Sequence, residues 1–319
     1  MKFRTEITPT PLPRKIGYDD ELLMLGSCFA DEMRRWLASL KFRASGNFAG
    51  PLFNPASIAD AIERAQRGEE IRPTDLAQGA DGRYFSYHTS TLYVGDDPQA
   101  VAARCQEANQ ALANRLATAR HLIITFGTAW VYRLQATGEV VANCHKQPQQ
   151  RFRRERLSVE EIVARWSALL EGPLQQKQVL LTVSPIRHLG DGLEGNAVSK
   201  ATLRLAVEQL VERCSNCRYF PAYELLLDDL RDYRYYADDL CHPSTQALAY
   251  IRERFAEAAF SEQTKQQMKE VEHLLRFCAH RPYDPASEEY QRQSREVIRA
   301  MQESPFDFSE EIALLRSRL

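Results

Sequence analysis

The sequence predicts an α/β domain, a parallel sheet with helices on both faces, extended by further helices at its C-terminal end. Three observations predict it. Four short apolar runs each end at turn residues, as buried parallel strands do. Helical patterns lie between those runs, and strand alternating with helix is the signature of parallel pairing. From Ser261 onward the chain is charged, helix-prone and free of strand signals.

The first run, Leu22–Leu25, stops at Gly26, and a helical pattern over Ala30–Leu40 follows. Pro98–Thr118 reads as a helix leading into the second strand, His121–Phe126, which stops at Gly127. Ser158–Leu170 leads into the third, Gln178–Val183, which stops at Ser184-Pro185. Ser199–Cys214 leads into the fourth, Arg218–Ala222. Tyr84–Val94 alternates aromatic, polar and β-branched residues, which predicts a hairpin or edge strand. Beyond Ser261 a break at Arg281-Pro282-Tyr283-Asp284-Pro285 divides the end into two or three helices, which pack on the core or form a homo-oligomer contact. The expected division is therefore residues 1–260 as the α/β domain and 261–319 as a helical extension.

The 319 residues suffice for one large core, with 44% hydrophobic and 26% charged residues, the balance of an ordinary globular protein. A formal net charge of −2 gives no field to attract nucleic acid. No run approaches the ~20 apolar residues of a membrane span, and Met1–Asp20 lacks the apolar stretch of a signal peptide. The seven cysteines are odd in number and scattered, as reduced thiols are. A cytoplasmic protein is expected. The lone Cys214-x-x-Cys217 has no second pair, so neither it nor a His88, His145, His242 set implies a metal, and no cofactor is called for.

In a parallel sheet ligands bind beyond the carboxyl ends of the strands. After the first strand comes Gly26-Ser27-Cys28-Phe29-Ala30-Asp31. A serine at a strand-to-helix turn presents its hydroxyl, and its own N–H lies near the helix N-terminus, where developing negative charge is favoured. Ser27 equally suits an N-cap, and Cys28 is a rival nucleophile. Far downstream stands Asp239-Leu240-Cys241-His242. An aspartate three residues before a histidine can turn back to hold Nδ1–H, which leaves Nε2 free to take a proton from a serine. A solvated helix-entry loop is the alternative. The serine and the D-x-x-H together specify more than either does alone.

With these residues in place the chain resembles the GSCFA family, from Gly26-Ser27-Cys28-Phe29-Ala30 through Asn54-Pro55 and Thr125–Tyr132. The matches continue through Asn143-Cys144-His145-Lys146, Ser184-Pro185-Ile186-Arg187-His188, Ser199-Lys200 and Asp239–Pro243, and cover roughly residues 1 to 255. That family looks like a branch of the SGNH (GDSL-like) hydrolases. The resemblance implies a flavodoxin-like three-layer α/β/α fold and a serine-dependent esterase or deacetylase. An O-acyltransferase using the same site, or a non-catalytic binding protein on the same fold, are the alternatives. It maps the nucleophile to Ser27 and the acid–base pair to Asp239 and His242. Oxyanion donors map to the N–H groups of Ser27 and Gly50. The third block, normally G-x-N, here reads Gly127-Thr128-Ala129, so its asparagine is missing and Asn143 is the expected substitute. His88, Trp130, His145, Arg187 and His188 are candidate contacts to a small-molecule or saccharide ester. Arg187 offers a planar fork suited to a carboxylate or phosphate.

Overall fold

Apolar side chains alternate in register along the central strands, and that period of two determines how the chain layers. In the computed structural model, which describes residues 4–319, Leu23 and Leu25 of strand β1 (Glu21–Gly26) enter one apolar cluster. Leu22 and Met24 enter another on the opposite face. The strands His121–Phe126 (β5) and Gln178–Val183 (β9) divide their residues the same way, with Ile123 and Leu180 on the second face. Two-sided burial of this kind requires helices on both faces of a parallel sheet.

The elements run as follows. β1 leads through Ser27 into α1 (Cys28–Ser39), then β2 (Arg43–Gly46) and α2 (Pro55–Gln66). A short antiparallel pair, β3 (Ala77–Gln78) and β4 (Tyr84–Phe85), precedes α3 (Pro98–Thr118) and β5 (His121–Phe126). A three-stranded excursion follows, formed by β6 (Trp130–Leu134), β7 (Val140–Val141) and β8 (Phe152–Arg156). Then come α4 (Val159–Glu171), β9 (Gln178–Val183), α5 (Gly192–Arg213) and β10 (Cys217–Phe220). A single turn, α6 (Ala222–Glu224), continues as a wider π-helical segment to Leu230. The chain finishes with α7 (Thr245–Ala259), α8 (Glu262–Ala279), α9 (Glu288–Glu303) and α10 (Ser309–Arg316).

The central sheet has five strands in the order β10-β9-β5-β1-β2, all parallel. Counted along the chain, that is the doubly wound order 2-1-3-4-5, so the topological switch point lies between β1 and β5. Helices α2 to α5 cover one face, with Trp166 fully buried against Phe126 and bonded to Pro55 O. On the other face α1 packs with residues of α7 to α10, among them Phe255, Met268, Met301 and Leu315. Among the described residues no helix is long and apolar enough to cross a membrane.

The expected strands His121–Phe126 and Gln178–Val183 and the helix Pro98–Thr118 hold to the residue. The fourth strand ends at Phe220 rather than Ala222, because Pro221 has no N–H to give the ladder and Ala222 begins a helical turn. α5 starts at Gly192 instead of Ser199, with Gly192 and Gly195 inside it despite their weak helix propensity. In Tyr84–Val94 only Tyr84 and Phe85 pair, and Thr91–Tyr93 is a 3-10 turn.

Candidate active site

The ends of β1, β5 and β9 lie side by side, and each delivers its next residues to the same rim. At Gly26 β1 and β5 come so close that an added Cβ would stand 2.2 Å from Thr125 O. Ser27 follows at the N-cap position of α1 with an extended backbone (φ −68°, ψ 177°). Its side chain makes no capping bond, and its buried Oγ has no hydrogen-bond partner. A serine at a helix start that does not cap it is an unspent hydroxyl, so the cap reading fails. Cys28 points the other way chemically: burial, helped by the charge of Asp31, pushes its thiol up from the usual range, against a reactive thiolate.

The Asp239–His242 loop sits on the same end of the sheet. Leu240 adopts a left-handed backbone (φ 57°), which folds the following N–H groups back onto Asp239. Asp239 Oδ1 accepts from the N–H groups of Cys241 (2.9 Å) and His242 (3.0 Å), while Oδ2 faces His242 Nδ1 at 2.5 Å. The His242 N–H, then that of Cys241, then the ring hold this carboxyl down at about 2. It is therefore ionised throughout the working range and fixes the tautomer that frees Nε2. No hydrogen bond joins His242 to Ser27.

Arg187 holds the loop in place. Its N–H donates to Cys241 O (3.1 Å), its guanidinium donates to Leu240 O (3.3 Å), and the same group stacks 3.9 Å from the Tyr236 ring centroid. A cavity of about 290 Å³ opens beside it, lined by Asp228, Arg231, Tyr233 and Tyr236. A larger hollow, about 1200 Å³, lies at the opposite end of the sheet against Glu21, Arg43 and Arg120. The smaller cavity is the one at the carboxyl end, where parallel sheets bind ligands, and of the candidate site residues Arg187 lines it.

Gly127 marks where the site converges. A Cβ there would lie 3.3 Å from both Ser27 Cβ and His188 Nε2, and 2.9 Å from Phe53 O. His188 Nε2 is buried without a partner, and the ring stands edge-on to Phe53. Beneath them Lys200, 1% exposed, donates to Gly127 O (2.6 Å) and Ser184 O (2.7 Å). Burial lowers its ammonium to about 7. Burial first, then the charges of Lys200 and His242, push His188 down to about 4.

Other expected donors and contacts are engaged elsewhere. The Gly50 N–H is donated to Asn47 O (2.8 Å), so in this conformation it cannot serve an oxyanion. Asn143 Oδ1 accepts the His145 N–H (2.7 Å) and shapes that turn, with no bond to Ser27. His145 Nε2 meets two carbonyls, Ser86 O (2.9 Å) and Thr89 O (3.0 Å), so it must carry the proton, and its ring stacks on Phe85. His88 pairs with Asp60 (3.0 Å). Trp130 lies under Arg154 (4.4 Å) and reaches Gly195 O (3.4 Å). His88, Trp130 and His145 thus tie segments together. Among the described residues no group of acids, histidines and cysteines is placed to hold a metal ion.

Three histidines, the buried His121 and His145 and the half-buried His188, all have lowered proton affinity, with burial the leading cause. The unfolded chain binds these protons near pH 6.5 and the folded one only at lower pH, so stability is full above that value. As pH falls from about 6.5 to 4 it declines, by up to about 3 kcal/mol from His188. Thermal melts at pH 7.5 and 5 are expected to show a lower midpoint at pH 5, with a smaller difference in His188→Gln. An unchanged difference in that variant would remove His188 from the account.

Lys200 stood in the Ser199-Lys200 match but was given no role in the sequence reading; its further signal is a charged residue in the middle of a helix face otherwise made of Leu203, Ala206 and Val207. Comparison with curated proteins and with solved structures finds no match. The GSCFA family model matches residues 21–255, which reaches from the first residue of β1 through the serine turn, the Gly127 floor and the histidine loop into α7. The chain belongs to the GSCFA family.

Proposed function

We propose that the protein is a serine-dependent acyl-ester hydrolase of SGNH type, working through an acyl-enzyme on Ser27. One observation carries this reading: an uncapped, buried Ser27 at the switch point shares the carboxyl end of the sheet with a preformed Asp239–His242 pair. Ser27 Oγ attacks the ester carbonyl as His242 Nε2 takes its proton, and Asp239 supports the imidazolium. His242 then protonates the departing alcohol, and water repeats the sequence to release the acid. The Ser27–His242 bond is not made in the resting molecule, and such bonds commonly tighten only when substrate arrives.

Two observations favour neighbouring readings. His242 is half-exposed beside Arg187, Tyr233 and Tyr236, a polar aromatic rim that suits an alcohol such as a saccharide, and hence O-acyl transfer. The unmade Ser27–His242 bond is what a binding protein on a hydrolase fold would have.

Intact-mass spectrometry after treatment with a fluorophosphonate distinguishes these readings. The expected result is one adduct on the wild type, none on Ser27→Ala and a much slower one on His242→Ala. An adduct that persists in Ser27→Ala, or none on folded wild type, would refute the mechanism.

A further inference from the structure

An oxyanion forming at Ser27 needs hydrogen-bond donors, and the backbone around it has few to offer. The Ser27 N–H leans on Thr125 O at 3.3 Å, a weak bond that an anion could replace. The Gly50 N–H belongs to Asn47 O. The N–H groups of Gly127 and Thr128 both go to Phe53 O, at 2.7 and 2.9 Å. Where the third block would carry asparagine stands Ala129, whose N–H goes to Ser199 Oγ at 2.7 Å. Beyond the N–H groups at the start of α1, a side chain is available. His188 Nε2 is buried, unbonded, and in contact with the same point above Gly127 as Ser27 Cβ.

We propose that His188 is a catalytic residue whose neutral ring donates Nε2–H to the acyl oxygen as Ser27 attacks, in the role of the missing asparagine. The inference rests on the reading of Ser27 as nucleophile. In the step, Ser27 Oγ bonds to the carbonyl carbon and its proton passes to His242 Nε2. The carbonyl π pair moves onto oxygen, where His188 Nε2–H and the Ser27 N–H receive it. Collapse re-forms the C=O bond and breaks the bond to the leaving alkoxide, which takes the proton from His242. His188 keeps its own proton throughout.

The surroundings separate this role from that of base. A base must become a cation, and His188 has no carboxylate partner, a half-buried ring with its Nε2 covered, and the Lys200 amine nearby. His242 has Asp239. A neutral imidazole that does not readily gain a proton is suited to polarising an oxygen. Lys200 contributes position as well, since its bonds to Gly127 O and Ser184 O pin together the loop ends that bear Gly127 and His188.

The test uses the full chain, p-nitrophenyl acetate turnover and the rate of fluorophosphonate labelling. His188→Ala and His188→Met remove the donor, the latter preserving bulk should the alanine variant not fold, and His188→Gln restores one. Both donor-free variants are expected to lose about 10²–10³ in kcat and labelling rate, with KM within about twofold. His188→Gln is expected to recover about tenfold or more of that loss. If His188→Met matches wild type while Ser27→Ala is dead, the inference falls and the nucleophile stands. If every His188 variant, glutamine included, is as dead as Ser27→Ala yet folded, His188 is the base and the inference also falls. If Ser27→Ala matches wild type, or wild type neither turns over nor labels, the nucleophile reading fails and takes this one with it.

Discussion

Replacing His242 by alanine is expected to lower kcat on p-nitrophenyl acetate about 10⁵–10⁶-fold, and replacing Asp239 by asparagine about 10⁴-fold, as in other serine triads. The two effects differ because the residues do different work. Without His242 nothing takes the Ser27 proton. Without the Asp239 carboxylate a base survives, but its ring loses the partner 2.5 Å from Nδ1 that selects the tautomer. The asparagine can still accept the N–H groups of Cys241 and His242, so the loop keeps its shape and the loss falls on kcat. The double variant is expected to be no worse than His242→Ala alone, since the pair acts as one unit. Steady-state kinetics on the three variants decides it. Rates within about tenfold of wild type for both single changes would show that the pair is not the acid–base machinery.

Gly26→Ala is expected to destabilise the fold by about 3–5 kcal/mol, through backbone strain and overpacking together. The residue has φ 136°, and an added Cβ would meet O, C and N of Thr125 between 2.2 and 2.9 Å. All three are backbone atoms, so β5 itself would have to move. Gly26 is also a hub. Its N–H donates to Asn47 Oδ1 (2.9 Å), and its O accepts from Asn47 Nδ2 (3.1 Å) and the Leu52 N–H (2.9 Å). Shifting it moves the nucleophile on one side and the loop carrying Phe53 on the other. Urea unfolding gives the stability, and fluorophosphonate labelling of the folded fraction is expected to slow. A variant within about 1 kcal/mol of wild type would mean that β1 and β5 can part there at little cost.

The buried centre of the sheet was legible in the sequence because parallel strands are apolar on both faces and their ends are marked. His121–Phe126 before Gly127 and Gln178–Val183 before Ser184-Pro185 are cases of this. The edge was not. β2 is Arg-Ala-Ser-Gly, half-exposed and without an apolar run, so nothing in its composition separates it from a loop. α2 had a usable signal in Asn54-Pro55, an N-cap followed by proline at the first helical position, with Ile58 and Ile62 on its buried face. The resemblance directed attention to the site residues, but their separation into roles depended on contacts between distant segments. His145 and His188 look alike in sequence. One is committed to the carbonyls of Ser86 and Thr89, and the other ends unbonded beside Gly127. The amide of Gly50 was likewise not readable as occupied, because its acceptor is set by a turn closed at Asn47.

The covering of the second sheet face bears on how the chain is made. Leu22, Met24 and Phe29 come early in the sequence, whereas Phe255, Met268, Val271, Met301 and Leu315, which enclose the same cluster, leave the ribosome well after them. Helices α2 to α5 can seal the first face while synthesis continues. The other face keeps α1 alone until α7 to α10 emerge, at roughly 5–20 residues per second. For that interval the nascent chain carries a half-roofed sheet, and it is in that period, rather than after completion, that its dependence on chaperones would be concentrated.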